Sequence, residues 1–183
     1  MINQKGFTLV ELLVVIAILA VLAVAVVVVL NPAELLKQAR DSTRISDLAA
    51  LNNASSLYLA DQAPTSFSAV VRCTASSSFP GTSTTPSTTS TSTLINGNGW
   101  VTFNFSSITS GSPLARLPLD PINSTTYYYA FKASTTVGAY EINANMESVK
   151  YSSTSATEVV SAIKDGGNIS GWYEVGSSLA QVW

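Results

Sequence analysis

The chain has 183 residues, of which 46% are hydrophobic and 11% charged, with nine basic against eleven acidic side chains and no histidine. A formal charge of -2 supplies no global basic field to hold nucleic acid, and the absent imidazoles remove the commonest acid–base group and metal ligand. The single cysteine, Cys73, excludes an internal disulfide, so an extracellular domain built from this chain has to be held by packing alone.

The length suits one modest domain plus an unusually apolar segment, and most of the apolar excess lies before residue 31. From Phe7 to Leu30 only Thr8 and Glu11 interrupt 24 residues of apolar character. At about 1.5 Å per residue this is roughly 36 Å of helix, enough to cross a hydrocarbon core of about 30 Å. The run exceeds the roughly 7–15 residues of a secretory h-region, and no small-residue cleavage site follows it before Asn31-Pro32. Lys5 competes with Lys37, Arg40 and Arg44 for the cytoplasmic side, so charge alone leaves the orientation open.

Glu11 is the anomaly of the span. An ionised carboxylate near a helix end costs less than the roughly 2.5–3.5 kcal/mol assigned to a charge at the centre, but it still needs a partner. A cut between Gly6 and Phe7 would create one, because the new amino group on a neighbouring copy could neutralise Glu11 in an apolar setting.

The stretch KGFTLVELLVVIAILAVLA resembles the class III signal peptide of type IV pilins and the related pseudopilins. The resemblance implies that a prepilin peptidase removes residues 1–6, cutting after Gly6 and N-methylating Phe7, and that Glu11 becomes the fifth residue of the mature chain. Lys5 leaves with the leader, so eight basic side chains then face eleven acidic ones. It further implies a single-pass subunit with its amino terminus inside, which later enters an extracellular helical homopolymer. The partners would be other copies, the peptidase, the membrane and an ATPase-driven assembly platform. The filament would serve adhesion, motility or DNA uptake. Two alternatives share this amino terminus: a pseudopilin of a type II secretion system, and a membrane-anchored surface binding domain that never polymerises.

Asn31-Pro32-Ala33-Glu34 has the layout of a helix start, with a capping residue, Pro at the first position and Glu at the third. Pro32 and the β-branched run Val26–Val29 together mark residues 26–32 as a place where the long helix kinks or unwinds, the alternative being a continuous helix with a mild bend. Beyond it, Lys37, Arg40, Asp41, Arg44 and Asp47 recur in steps of three or four and form a charged stripe. Leu35, Ala39, Ala50 and Leu57 lie toward the other side, so residues 31–63 are expected to form an amphipathic continuation ending near Asp61.

Residues 64–183 are expected to form the globular head. Its tract 73–93 is mostly Ser and Thr and is read as a solvated loop, with O-glycosylation as a functional reading. Three runs have strand character: 99–105, 126–132 and 138–146. They predict an α+β fold in which the amphipathic half of the helix packs on a small antiparallel sheet, with aromatic cross-strand pairs supplying adhesion.

Between the first two runs, LPLDPINSTTYYYAF places Asp120 between Pro118 and Pro121, where it can accept backbone donors within a turn. This Pro-x-Asp-Pro turn before a Tyr-rich strand resembles the corresponding segment of major pseudopilins. The last part predicts a short helix through Ile163, a turn at 165–168 and a closing strand from Trp172. Major pseudopilins bind calcium in a carboxy-terminal loop, and Asp165, Asn168 and Glu174 offer oxygens here. Their spacing matches no recognised calcium loop, and a turn stabilised by Asp and Gly is the plainer reading; no other cofactor is indicated. With no His and no phosphate-binding Gly loop, an enzyme is not expected, and Glu141 and Glu147 are read as a solvated face.

Overall fold

The computed structural model describes residues 6–62, 70–75, 78–80, 88–133, 138–152, 165–169 and 171–179. The chain divides into two units, Met1–Leu36 and Lys37–Trp183.

In the first unit, Thr8 is extended (φ -83°, ψ 151°) and caps helix α1, Leu9–Leu30. Asn31 takes a left-handed conformation (φ 40°, ψ 71°), which ends α1. Asparagine tolerates this region better than most residues. Helix α2, Pro32–Gln62, starts at once, with Pro32 at the position where a missing N–H is harmless. The Asn31 carbonyl accepts from the N–H groups of Glu34 and Leu35, at 3.0 and 3.3 Å. Residues Val26–Leu30 are helical, so the interruption in this structure is one residue long rather than spread over 26–32. The weak helix preference of β-branched residues is a small term, easily overridden.

The second unit packs the rest of α2 against a five-stranded sheet of order β2-β1-β3-β4-β5. The strands are β1 (Val70–Cys73), β2 (Thr88–Thr89), β3 (Tyr129–Ala133), β4 (Tyr140–Asn145) and β5 (Trp172–Gly176). This is an α+β arrangement of the kind the resemblance implies. Three of the four pairings are antiparallel, but β1 and β2 run parallel, so the sheet is mixed rather than purely antiparallel. The reason is the excursion after Cys73: β2 comes back alongside β1 in the same direction, which a tight hairpin cannot do.

One sheet face carries Tyr129, Phe131, Ala133, Tyr140, Ile142 and Ala144, buried against Leu48, Leu51 and Ala54 of α2. Trp100, Val101, Phe103 and Phe105 join this core from the segment expected to be a strand. That segment is not a strand: it makes one isolated bridge, Asn96 with Asn104, and then a 3-10 turn at Phe105–Ser107. Gly97 sits at φ +85°, and the backbone at Gly99 lies so close to the Leu94 carbonyl that no Cβ would fit. The chain therefore doubles back on itself, leaving no length for a ladder. The alternation is still used, because it points the aromatic rings inward.

Aromatic adhesion also differs from expectation. In the β3–β4 register, Tyr129, Phe131 and Tyr140 face Ala144, Ile142 and Ala133, not one another. Phe103 supplies the ring contacts instead, lying 5.3 Å from Phe131 and 5.6 Å from Tyr140 in edge-on geometry and 5.1 Å from Tyr58 in a stack.

On the opposite sheet face, Cys73, Phe79, Tyr128 and Ala130 form a second apolar cluster with Ile169 and Trp172. Cys73, Thr74 and Phe79 are buried and Thr88–Thr89 form β2, so the Ser/Thr tract is in part structural rather than a solvated loop. The expected helix through Ile163 lies outside the described residues. The closing strand begins at Trp172, as the sequence predicts.

Candidate functional site

At the amino terminus, Phe7 is 89% exposed, and the space around Gly6 is open. Thr8 and Glu11 close a reciprocal capping box. The Glu11 Oε2 accepts from the Thr8 N–H at 2.8 Å and from its hydroxyl at 2.7 Å, while the Glu11 N–H donates to Thr8 Oγ1 at 3.3 Å. The carboxylate is thereby turned back toward the start of the helix, where the macrodipole favours negative charge. None of the 22 residues of α1 is buried. The helix is long and apolar enough to cross a membrane. Gly6, Phe7 and Glu11 thus lie together on one accessible end, while Asn31 and Pro32 close the other end of α1.

The head contains a site that the sequence reading missed. Asp41 and Arg44, placed above in the charged stripe of an amphipathic helix, are both fully buried, as are Leu48, Leu51 and Ser55 along the same face. Leu35 and Leu57, assigned to the opposite side, are 51% and 39% exposed. Arg44 grips Asp120 with two parallel bonds, Nε to Oδ2 at 2.6 Å and Nη2 to Oδ1 at 3.0 Å, and reaches Asp41 Oδ1 from Nη1 at 2.8 Å. Asp120 also accepts the N–H groups of Ile122 and Asn123, so the Pro-x-Asp-Pro turn is closed by the carboxylate expected to close it.

Asp41 in turn accepts the N–H groups of Glu147 and Ser148 and the Ser148 hydroxyl, and Arg40 Nε meets Glu147 Oε2 at 2.7 Å. Burial works against the Arg44 charge, yet the bonds and charges of Asp120 and Asp41 outweigh it and hold its pKa above the ordinary arginine value. The periodic signal was present in the sequence: 41, 44, 48, 51 and 55 step by three and four. Glu141, read with Glu147 as a solvated face, is buried, whereas Glu147 is half-buried with its carboxylate against Arg40 and lies beyond the end of β4.

Of the three residues considered for calcium, two come together. Asp165 Oδ1 accepts the Gly167 N–H and its Oδ2 accepts the Glu174 N–H, while Glu174 Oε2 accepts the Ile169 N–H. Both Asp165 oxygens are thus occupied by backbone donors. Asn168 is exposed on the turn. Among the described residues no group of three or more Asp, Glu or Cys side chains is arranged to hold a metal ion. Cys73 is buried, which pushes its thiol pKa up to about 12 and keeps it from acting as a thiolate.

Residues 1–27 match the family model described as the prokaryotic N-terminal methylation motif, the class III signal found in type IV pilins and pseudopilins. No curated protein and no solved structure matches the chain. The motif supports a type IV pilin-like or pseudopilin protein, and together with the long apolar helix it suits a membrane-anchored one.

Proposed function

We infer that this chain, which carries the amino-terminal methylation motif of pilins and pseudopilins, is matured by cleavage after Gly6 and methylation at Phe7. The mature chain then serves as the structural subunit of a type IV pilus-like filament used for adhesion, motility or DNA uptake. The observation that carries the reading is α1: 22 helical residues, nearly all large aliphatics or alanines, none of them buried. Burying one such side chain is worth about 1.5–3 kcal/mol, so the helix needs lipid or other copies around it.

A bilayer meets that need before assembly and a bundle of identical helices meets it afterwards. In the bundle, Glu11 faces the methylated amine of Phe7 on an adjacent copy. The pair sets axial register, because any other offset leaves a carboxylate unpaired among apolar side chains. The orientation of Glu11 toward the helix start supports this pairing.

Intact-mass measurement of the protein from its native cell tests the maturation step. The expected chain begins at methylated Phe7, and retention of Met1 in cells with active peptidase would refute it. Glu11→Ala is expected to leave the protein in the membrane while filaments fall severely. Normal filament numbers in that variant would end the register argument.

A further inference from the structure

The sheet face turned away from α2 holds a polar cluster that neither maturation nor polymerisation uses. Lys132 on β3 stands directly across from Glu141 on β4, and Asn143 lies two residues further along β4 on the same face. All three are withdrawn from solvent, with Lys132 6%, Glu141 2% and Asn143 0% exposed. The Asn143 Nδ2 donates to Glu141 Oε1 at 2.8 Å. The Lys132 Nζ lies over the buried Phe79 ring, 5.2 Å from its centroid, inside the second apolar cluster. Lys132 and Asn143 are diagonal cross-strand neighbours, a separation of about 7–8 Å at the backbone that a lysine side chain spans.

The charge attraction between Lys132 and Glu141 across the strands accounts for two of these residues but not for the third. Asn143 Oδ1 has no hydrogen-bond partner. A buried amide with an unmatched carbonyl is less stable than an apolar residue in the same place. Such an exception asks for a chemical reason.

We propose that Lys132 and Asn143 become joined through their side chains by an intramolecular isopeptide bond, with Glu141 as the catalytic acid–base group. The lone pair of the uncharged Lys132 amine attacks Cγ of Asn143. The carboxylic acid of Glu141 gives its proton to the departing Nδ2, the Cγ–Nδ2 bond breaks, and ammonia leaves. The attacking nitrogen, now part of the amide, returns its surplus proton to Glu141, which ends as the acid it began as. No oxidant or reductant is involved. Burial favours the neutral forms this step needs. It lowers the Lys132 pKa, with the Glu141 charge opposing, and it raises that of Glu141, with hydrogen bonds from Glu174 and Asn143 and the Lys132 charge opposing. The low-dielectric cluster around Phe79 keeps out water that would compete for the acyl carbon.

The proposal is independent of polymerisation, and the full chain tests it without a variant. After allowance for leader removal and methylation, the intact mass is expected to fall short of the sequence mass by one ammonia. Trypsin should leave Leu117–Lys150 as a single peptide, uncut at Lys132 and lighter by the same amount. Lys132→Arg and Glu141→Gln should each restore the full mass. A wild-type mass equal to the sequence mass overturns the proposal. So does an ammonia deficit that persists in Lys132→Arg, or one that maps to the Asn96-Gly97 or Asn98-Gly99 dipeptides, where cyclisation also expels ammonia.

Discussion

Helices α1 and α2 adjoin in sequence and invert the usual relation between composition and burial. The apolar α1 buries nothing, whereas α2 buries Asp41 and Arg44 completely. The difference lies in where the partners are. Those of α2 are in the same chain: Asp120 on its turn, and the Glu147 and Ser148 backbone, satisfy each buried charge with directed bonds. The residues of α1 are left exposed. Burial within the chain thus follows the availability of matching groups, which hydropathy alone does not report.

Removing one member of the Arg44 network is the strongest way to break this contrast. Arg44→Met leaves Asp41 and Asp120 buried without their cation, and the expected loss is about 3–5 kcal/mol of head stability. Thermal unfolding of the full chain in detergent would measure it. A loss under about 1 kcal/mol would mean that the network is no more than a surface ion pair. Next in size is a charge placed in α1. Ile18→Lys should cost about 2.5–3.5 kcal/mol of membrane insertion while leaving the melting transition of the head unchanged. Membrane fractionation and calorimetry of the same variant separate the two effects, and a destabilised head would contradict the separation of roles.

The most gradual effect concerns Glu174. Burial raises its carboxyl, the Ile169 N–H opposes the shift, and the neighbouring Glu141 and Asp165 add to it, bringing the pKa up to about 8. The folded head then holds a proton that the unfolded chain releases at ordinary carboxylate pH. The contribution is fully present below the unfolded pKa and is lost as pH rises toward 8. The fall is at most one proton's worth, about 1.4 kcal/mol per pH unit. Melting temperatures from pH 5 to 8 should decline in the wild type and flatten in Glu174→Gln, whereas identical slopes would refute the assignment.

The motif at Gly6, Phe7 and Glu11 was legible because it depends on local spacing, and β3, β4 and β5 were legible because their alternation has partner strands. The run at 99–105 alternates just as well yet forms no ladder. A half-buried loop beside Gly97 and Gly99 imposes the same in–out rhythm as a strand. The face of α2 was misread because a charge every three or four residues looks identical whether it meets water or a matched counter-charge. Only the tertiary position of Asp120, far along the chain, distinguishes the two. β2 was invisible because two threonines in a Ser/Thr tract carry no periodicity.

The turn at Asp165 has a consequence for how copies of this protein can associate. A terminal strand presents outward N–H groups that invite another chain to lie alongside and extend the sheet. On β5 the Glu174 N–H is already held by the Asp165 carboxylate, and the Trp172 N–H by the Ile169 carbonyl. Sheet-to-sheet addition at this border would have to evict both. The border is blunted against strand addition, so an exposed sheet edge is not left here to template an aggregate.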